Sequence, residues 1–504
     1  MQNDIPGQPL QRLVCGEKAM IPLTLEQIRR VTHAELSNGV SETPIHSICT
    51  DTRNIAPGSL FIALMGDTHD GHDHIESAMK SGALAVMVHR AVSTSLPVLK
   101  VVDTRKTMGL LANEVRKTLH GKVVAVAGSN GKTGTKNLLH SALRNALTGS
   151  ISPKSFNNDI GVPATIFAAD PDADYLVLEI GTNHHGEILN LTNIARPDVA
   201  IITNIGAEHL EFLGDLEGVR KENARIIAGL NPDGLLVLNG DSPGLADAVA
   251  AYPGKKVTFG FGTANDLHPT GILCQADGIR FHLNGQPIFI PLMGRHTAVN
   301  ALAAIAVARH LGVSDADIIT GLATATGPEM RLQMQTAGSV KILNDAYNAN
   351  PHSMQAGLET LRDMDTDGRR VAILGDMREL GPTADRYHRQ IGRFAAECEL
   401  DYLVCVGEKA KLIADSAIAA GMAENSIEHY ATAADCTANV SSFLGDGDLV
   451  LLKASRGMKL ETIATAMMTA AVSLGLQREV AARTRRVVPA AERLIKSVTL
   501  ADPL

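Results

Sequence analysis

The chain has 504 residues, a formal charge of −8 at pH 7, 45% hydrophobic and 20% charged residues. That length predicts about three domains of ordinary size, each able to bury a core. The acidic balance excludes nucleic acid as the expected partner, because duplex binding uses a basic face, and no apolar run approaches the ~20 residues that cross a bilayer.

Residues 1–20 lack periodicity and read as a loose leader. A small α/β domain is expected over 21–120. Its first notable stretch is Cys49-Thr50-Asp51-Thr52-Arg53, followed by a Pro57-Gly58 turn and a strand from Leu60 to Leu64. The loop Gly66 to His74 carries Asp67, His69, Asp70, His72, Asp73 and His74. A solvated polar loop is the preferred reading over a metal ligand set, since no cysteine joins them. Gly82 to Val88 and Leu96 to Val102 read as two further buried strands.

A second domain is expected over 121–328 and opens with Val123 to Thr135, which reads as a buried strand, a glycine-rich turn and a helix start. Gly128, Gly131 and Gly134, with Ser129 and Asn130 between them, let backbone N–H groups turn inward. The helix N-terminus adds partial positive charge, Lys132 a full one, and Thr133 is placed to reach Mg²⁺. This is a phosphate cradle, and a nucleotide triphosphate is its expected ligand. A bare strand-to-helix turn with a surface lysine is the alternative, against which the flanking apolar strand and helix argue.

Ser155 to Pro163 is dense in amides, and Asn157 and Asn158 suit either a polar ligand or a turn. Tyr175 to Gly181 reads as a buried strand with Glu179 at its carboxyl end, where a buried acid needs a partner or a metal. Val199 to Asn204 reads as another strand, followed by Ala207-Glu208-His209-Leu210. In an open parallel sheet, ligands sit beyond the carboxyl ends of strands. Glu179 and His209 would then lie near the cradle as divalent-metal ligands, with a structural histidine as the alternative. Shorter strands are expected at Leu235 to Leu238 and Ile288 to Leu292, and an alanine-rich helix carrying Asn300 over Ala298 to Ala308.

A third domain, over 329–504, repeats one device four times: an apolar strand ending in a polar cluster. The clusters are Asn344 to Pro351, Gly375 to Glu379, Gly407 to Lys409 and Lys453 to Gly457. In a doubly wound sheet they fall on one edge and make a second ligand-facing surface. The tail after Gln477, with Arg483, Arg485 and Arg486, reads as a terminal helix and frayed end, its charges mixed with Glu479 and Glu492. The cysteines at 15, 49, 274, 398, 405 and 436 form no CxxC pair. Reduced thiols and a cytoplasmic location are expected.

Together these stretches resemble the Mur ligase family, from about Ile48 to Glu461. The most specific are Gly128 to Thr133, Asn157 to Pro163, Glu179 to Asn183 with Gly186-Glu187-Ile188, Gly294-Arg295-His296 with Asn300-Ala301-Leu302, Asp345 to Pro351 with Ser353-Met354, and Leu374 to Met377 with Glu379-Leu380-Gly381. The resemblance implies an α/β fold of three domains: a small N-terminal UDP-binding domain, a central P-loop ATPase with a mostly parallel sheet, and a C-terminal Rossmann-like domain. It implies ATP and Mg²⁺ as cofactors. The Tyr347 to Pro351 stretch is similar to the family branch that adds D-alanyl-D-alanine to UDP-N-acetylmuramoyl-tripeptide. These two small molecules are the expected partners of a monomer.

By that resemblance Asp51, Thr52, Arg53 and the Gly66 to His72 loop contact the uridine nucleotide. Lys132 holds the β/γ-phosphates, Thr133 and Glu179 a first Mg²⁺, and His209 a second. Asn300 and His296 lie on the adenine side, while Arg331 and Asp345 meet the nucleotide when domains close. Asn348, Asn350, Lys453, Ser455 and Arg456 lie where the dipeptide and the peptide end of the substrate are expected. One departure stands out. A lysine on the helix after the His209 loop is commonly carbamylated in this family, and Asn223 occupies that position here. Lys221, two residues away, points to nearly the opposite face. No lysine carbamate is expected, with Asn223 acting through its amide oxygen or a water.

The chemistry implied is amide formation through an acyl phosphate, by positioning and charge neutralisation. Two rivals stay open: a sister amino-acid ligase of the Mur or folylpolyglutamate type, and a nucleotide-gated regulatory protein that makes no bond.

Overall fold

The computed structural model describes residues 20–469. Residues 1–19 of the expected leader, Cys15 among them, and the arginine-bearing tail after Gln477 lie outside the described residues, while Met20 is buried in the core. The chain divides into two compact units between Pro328 and Glu329, with Cys274–Ala276 grouped with the second.

The first unit begins with a five-stranded sheet in the order Glu35–Ser37, Val98–Lys100, Ala83–Val88, Ser59–Ile62, Ser47–Cys49. All its pairings are parallel except that of Glu35–Ser37. The strand expected from Leu96 to Val102 is shorter, Val98–Lys100, because Pro97 has no N–H to give a ladder and Val102 projects into solvent. The strand expected over Ile288 to Leu292 is shifted to Gln286–Ile290, ending at Pro291.

Next comes a six-stranded, wholly parallel sheet: Lys255–Phe259, Leu235–Asn239, Val199–Ile202, Lys122–Ala127, Tyr175–Glu179, Gly149–Ile151. Its inner strands are continuous apolar runs, as a sheet buried on both faces requires. Lys122–Ala127 is flanked by Val199–Ile202 and Tyr175–Glu179, with Ala127 opposite Ile202 and Val126 opposite Glu179. Three neighbouring carboxyl ends therefore open onto one place.

The first sheet buries a cluster of its own, with Phe61, Ile75, Ala78, Val86 and Val88, and shares a second one with the sheet that follows. Helix Thr104–Arg116, capped by Asp103, which accepts the N–H groups of Arg105 and Lys106, carries Leu111, Ala112 and Val115 into one apolar cluster. That cluster also holds Ile62 and Met87 of the first sheet and Ile166, Leu191 and Ile194 behind the second. A Cβ at Gly109 would lie 2.8 Å from Ile194 Cδ1, so the helices approach closely.

The second unit is a six-stranded sheet in the order Gln333–Ala337, Val340–Asp345, Leu449–Lys453, Arg370–Gly375, Tyr402–Val406, Ile427–Tyr430. Only the first pairing is antiparallel. The four strands with polar ends are consecutive and parallel, so their clusters share one edge.

Candidate nucleotide and metal site

The cradle turn needs its glycines. Gly128 has φ 122°, and a Cβ there would meet Thr203 Oγ1 at 2.1 Å. Gly131 has φ 82°, and a Cβ there would lie 2.5 Å from Asn300 Oδ1. Asn300 projects from helix His296–His310 against the cradle. Helix Lys132–Leu143 starts at Gly131 with no side-chain cap, which leaves its first N–H groups for a ligand.

The segment after Val199–Ile202 is stitched to the cradle. Asn130 N–H donates to Asn204 Oδ1 (2.8 Å), Ser129 N–H to Asn204 O (2.9 Å), and Gly206 N–H to Ser129 Oγ (2.9 Å). Thr203 Oγ1 donates to Asn130 O at 2.5 Å. Three residues on, His209 adopts φ 49° and starts the short helix Leu210–Leu213. Lys132 Nζ folds back, donating to Gly128 O (2.5 Å) and Ser129 O (3.3 Å), with Glu208 Oε2 3.6 Å away.

Glu179 is 1% exposed at its strand end. Asn157 Nδ2 donates to its Oε1 at 3.1 Å. Its other oxygen, Oε2, lies 3.2 Å from Lys136 Nζ as an ion pair without hydrogen-bond alignment. Lys136 directs its protons to Ser152 O (2.8 Å) and Lys154 O. The buried acid thus has a partner, and it is a lysine the sequence reading passed over. Its signal was a polar residue one turn after Lys132 on the inward face of the cradle helix.

Thr133 Oγ1, Glu179 Oε2 and Glu208 Oε1 are buried and make no hydrogen bond among the described residues. Oxygen donors left open beside a phosphate cradle fit Mg²⁺, a hard cation that takes few protein carboxylates together with phosphate oxygens.

Asn223 is buried on helix Leu216–Ala224, its Nδ2 donating to Val219 O at 3.0 Å and its Oδ1 unpartnered. Beside it, Glu222 accepts the N–H groups of Gly186 (2.9 Å) and Ile188 (3.0 Å), which fixes that face inward. The Lys221 side chain is 68% exposed and pairs with Glu217 at 3.3 Å. Asn158 spends its Oδ1 on the N–H groups of Ile160 and Gly161, the turn alternative. Arg105 anchors the same loop through a bidentate pair with Asp159 at 2.6 and 2.7 Å.

In the first sheet, Asp51 caps the turn Thr52–Asn54, and the Arg53 guanidinium, 2.6 Å away, holds its carboxyl below the usual range. The histidine loop is occupied with itself. The His72 N–H, above all, draws the Asp70 carboxyl down to about 2, and His72 Nδ1 lies 2.6 Å from Asp70 Oδ1. Arg90 donates to Asp70 at 2.7 Å.

In the second unit, Lys453 Nζ donates to Asp345 Oδ2 (2.5 Å) and Asn348 O (3.1 Å). Leu332 N–H donates to Asp345 Oδ1 at 3.2 Å, and Arg331 stacks over the Tyr347 ring at 4.4 Å. Asn350 forms a capping box with Ser353 on helix Pro351–Asp363. Ser455 Oγ accepts Arg378 N–H at 2.8 Å, and Arg456 pairs with Glu461 at 2.9 Å. Asn348, Lys453 and Asp345 are brought together, and Ser455 reaches the same loop, its Oγ donating to Ala349 O at 3.4 Å, while Asn350 and Arg456 are engaged by Ser353 and Glu461.

Residues 44–122 match the Mur ligase family catalytic domain, 126–308 the Mur ligase middle domain, and 330–456 the Mur ligase glutamate ligase domain. The chain belongs to the Mur ligase family. Among curated members, it is 36% identical to the UDP-N-acetylmuramoyl-tripeptide--D-alanyl-D-alanine ligase of Bacillus subtilis, over 88% of this chain and 98% of that one. It is 34% identical to the Escherichia coli ligase of the same name, over 89% and 99%. Among solved structures, MurF from Acinetobacter baumannii superposes with a TM-score of 0.82 at 30% identity, covering 90% of this chain and 100% of that one. The Thermotoga maritima MurF ligase in complex with ADP gives 0.75 at 26%, covering 85% and 98%. This Mur ligase is a mixed α/β protein with the fold of those structures, and among its described residues no helix is long and apolar enough to cross a membrane.

Proposed function

We propose that this Mur ligase uses ATP to join D-alanyl-D-alanine to UDP-N-acetylmuramoyl-tripeptide, a step of peptidoglycan precursor synthesis. A carboxylate is too poor an electrophile to accept an amine unaided. Its oxygen attacks the γ-phosphorus and ADP departs. The free amine of the dipeptide then attacks the acyl carbonyl, inorganic phosphate leaves, and the amine gives up a proton.

The chain's own residues act by placement and charge. Lys132 and the open N–H groups after Gly131 receive the β/γ-phosphates. Thr133 and Glu179 hold Mg²⁺, with His209 and Asn223 toward a second ion. When bound, Mg²⁺ neutralises phosphate charge that would repel the attacking carboxylate. Lys136, 3.2 Å from one Glu179 oxygen, keeps that carboxyl aimed, with Asn157 on its other oxygen. Asn300 and His296 face the adenine side. Asp51, Thr52 and Arg53 take the uridine end, in a substrate-binding part spanning about 21–120, ahead of an ATP-binding part to 328 and a ligase part beyond. Arg331, Asp345 and the Asn348 to Arg456 edge receive the nucleotide and the peptide groups on closure, which also excludes water. ATP and the UDP-linked substrate belong to the cytoplasm, where we place this enzyme, acting as a monomer.

The observation that carries the reading is the pair of buried oxygens without a hydrogen bond, Thr133 Oγ1 in the first turn of the cradle helix next to Lys132 and Glu179 Oε2 at the end of the neighbouring strand. Its test is phosphate release from ATP with UDP-N-acetylmuramoyl-tripeptide and either D-alanyl-D-alanine, single amino acids or no amine. Turnover only with the dipeptide is expected; turnover with a single amino acid moves the chain to a sister activity.

A further inference from the structure

Glu208 was not singled out by any motif, yet one of its carboxylate oxygens is buried without a hydrogen bond among the described residues. It follows a segment fastened to the cradle through Thr203, Asn204 and Gly206, so its position is set by the phosphate turn itself. Its side chain is 7% exposed, and Oε1 has no hydrogen-bond partner among the described residues. Oε2 lies 3.6 Å from Lys132 Nζ, whose hydrogen bonds go instead to Gly128 O and Ser129 O. Buried carboxylates are paired, hydrogen-bonded or bound to metal; this one has a single, loosely held cation.

That cation is the one the phosphates require. Once Lys132 turns to the β/γ-phosphates, Glu208 faces a polyanion with no positive charge of its own. Like charges at such range in a shielded site repel strongly. A divalent ion between them turns the repulsion into attraction on both sides.

We propose that Glu208 is a ligand of the Mg²⁺ that arrives with the nucleotide, released to it when Lys132 moves to the phosphates. This inference rests on the Mg²⁺·ATP reading of the cradle and adds a carboxylate to it. Glu208 then makes nucleotide binding conditional on the metal: it penalises the free nucleotide and rewards the complex. Coupling of this kind is reciprocal, so Mg²⁺ and ADP strengthen each other's binding by the same factor.

The test is calorimetric titration of the full chain with ADP, in Mg²⁺ and in EDTA, for the natural protein, Glu208→Gln and Glu208→Asp, with thermal melting to check folding. In the natural protein Mg²⁺ is expected to tighten ADP binding on the order of 10²-fold. Glu208→Gln should bind ADP more tightly than the natural protein in EDTA, because the repulsion is gone. The Mg²⁺ gain should shrink to below about tenfold. Glu208→Asp, which keeps the charge, should retain more of the gain than Glu208→Gln. An undiminished Mg²⁺ gain in Glu208→Gln overturns the proposal. So does weaker ADP binding by the same factor with and without Mg²⁺, since Glu208 would then only hold Lys132. If the natural protein shows no Mg²⁺ gain, the metal reading of the cradle fails first, which separates the two failures.

Discussion

Asp345 and Lys453 sit opposite each other as register partners on adjacent parallel strands, and the Lys453 ammonium, 2% exposed, lies 2.5 Å from Asp345 Oδ2. Burial pulls the Lys453 pKa down, and the Asp345 carboxylate is what opposes that pull. Removing one partner of such a pair leaves an uncompensated charge. Asp345→Asn should therefore lower stability by about 3 kcal/mol, read by urea unfolding, and also raise the KM for ATP. A raised KM with unchanged stability would show that the carboxylate serves the nucleotide alone.

Lys132→Ala removes the full positive charge from the cradle. Turnover should fall ~10²-fold or more while the fold survives, measured by phosphate release and circular dichroism. Activity near that of the natural protein would remove Lys132 from the phosphates.

Lys136→Met keeps the volume and deletes the charge beside Glu179. It should cost about 3 kcal/mol of stability, part of which 10 mM MgCl₂ with ATP restores, because the metal then compensates the same carboxylate. Melting curves with and without Mg²⁺·ATP decide this; an equal loss in both would make Lys136 purely structural.

Lys221 should carry no carbamate. Intact-mass spectrometry in bicarbonate is expected to show none, and Lys221→Ala should change turnover less than about twofold, as exposed substitutions do. The buried Asn223 amide is the residue on that helix whose loss should be felt.

His388 is fully buried, with Nε2 accepting Met377 N–H at 3.0 Å and Nδ1 donating to Ala384 O at 2.7 Å. Burial, the largest influence, lowers its pKa from 6.5, against the opposing pull of the Ala384 carbonyl, Asp376 and Asp385. The unfolded chain thus binds the extra proton more readily. The stability from neutral His388 is complete above the ordinary histidine value of 6.5 and is lost as pH falls below it. Urea midpoints at pH 7.5 and 5.5 should drop for the natural protein and drop less for His388→Gln. Parallel slopes would exclude His388 as the source.

The phosphate cradle was readable because its grammar is local: glycines where only glycine fits, then a lysine and threonine at a helix start. The strand-end placement of Glu179 was readable from an apolar run of sheet length. Lys136 left only its place one turn after Lys132 as a signal, and Glu208 left none, because nothing in their neighbours tells which polar residue is buried. Burial there is decided by helix and loop packing from distant segments. Lys453 was read as facing ligand, yet its ammonium turns to a residue 108 positions away, a choice set by strand order. Strand Gln333–Ala337 was missed because Gln333, Gln335 and Thr336 hide its period. Asn350 offered a signal that went unused: Asn-Pro-x-Ser is a helix start.

The helix Thr104–Arg116 has a consequence for dissection. Its inward face is shared by both sheets of the first unit, so a cut near residue 120 would leave Leu111 and Val115 on the amino-terminal fragment without Ile166, Leu191 and Ile194. The amino-terminal part should therefore lose packing when cut from the rest, although Phe61, Ala78, Val86 and Val88 keep a core within it. A defect at Val115 should loosen the packing beneath both sheets at once and lower the melting temperature of the whole first unit.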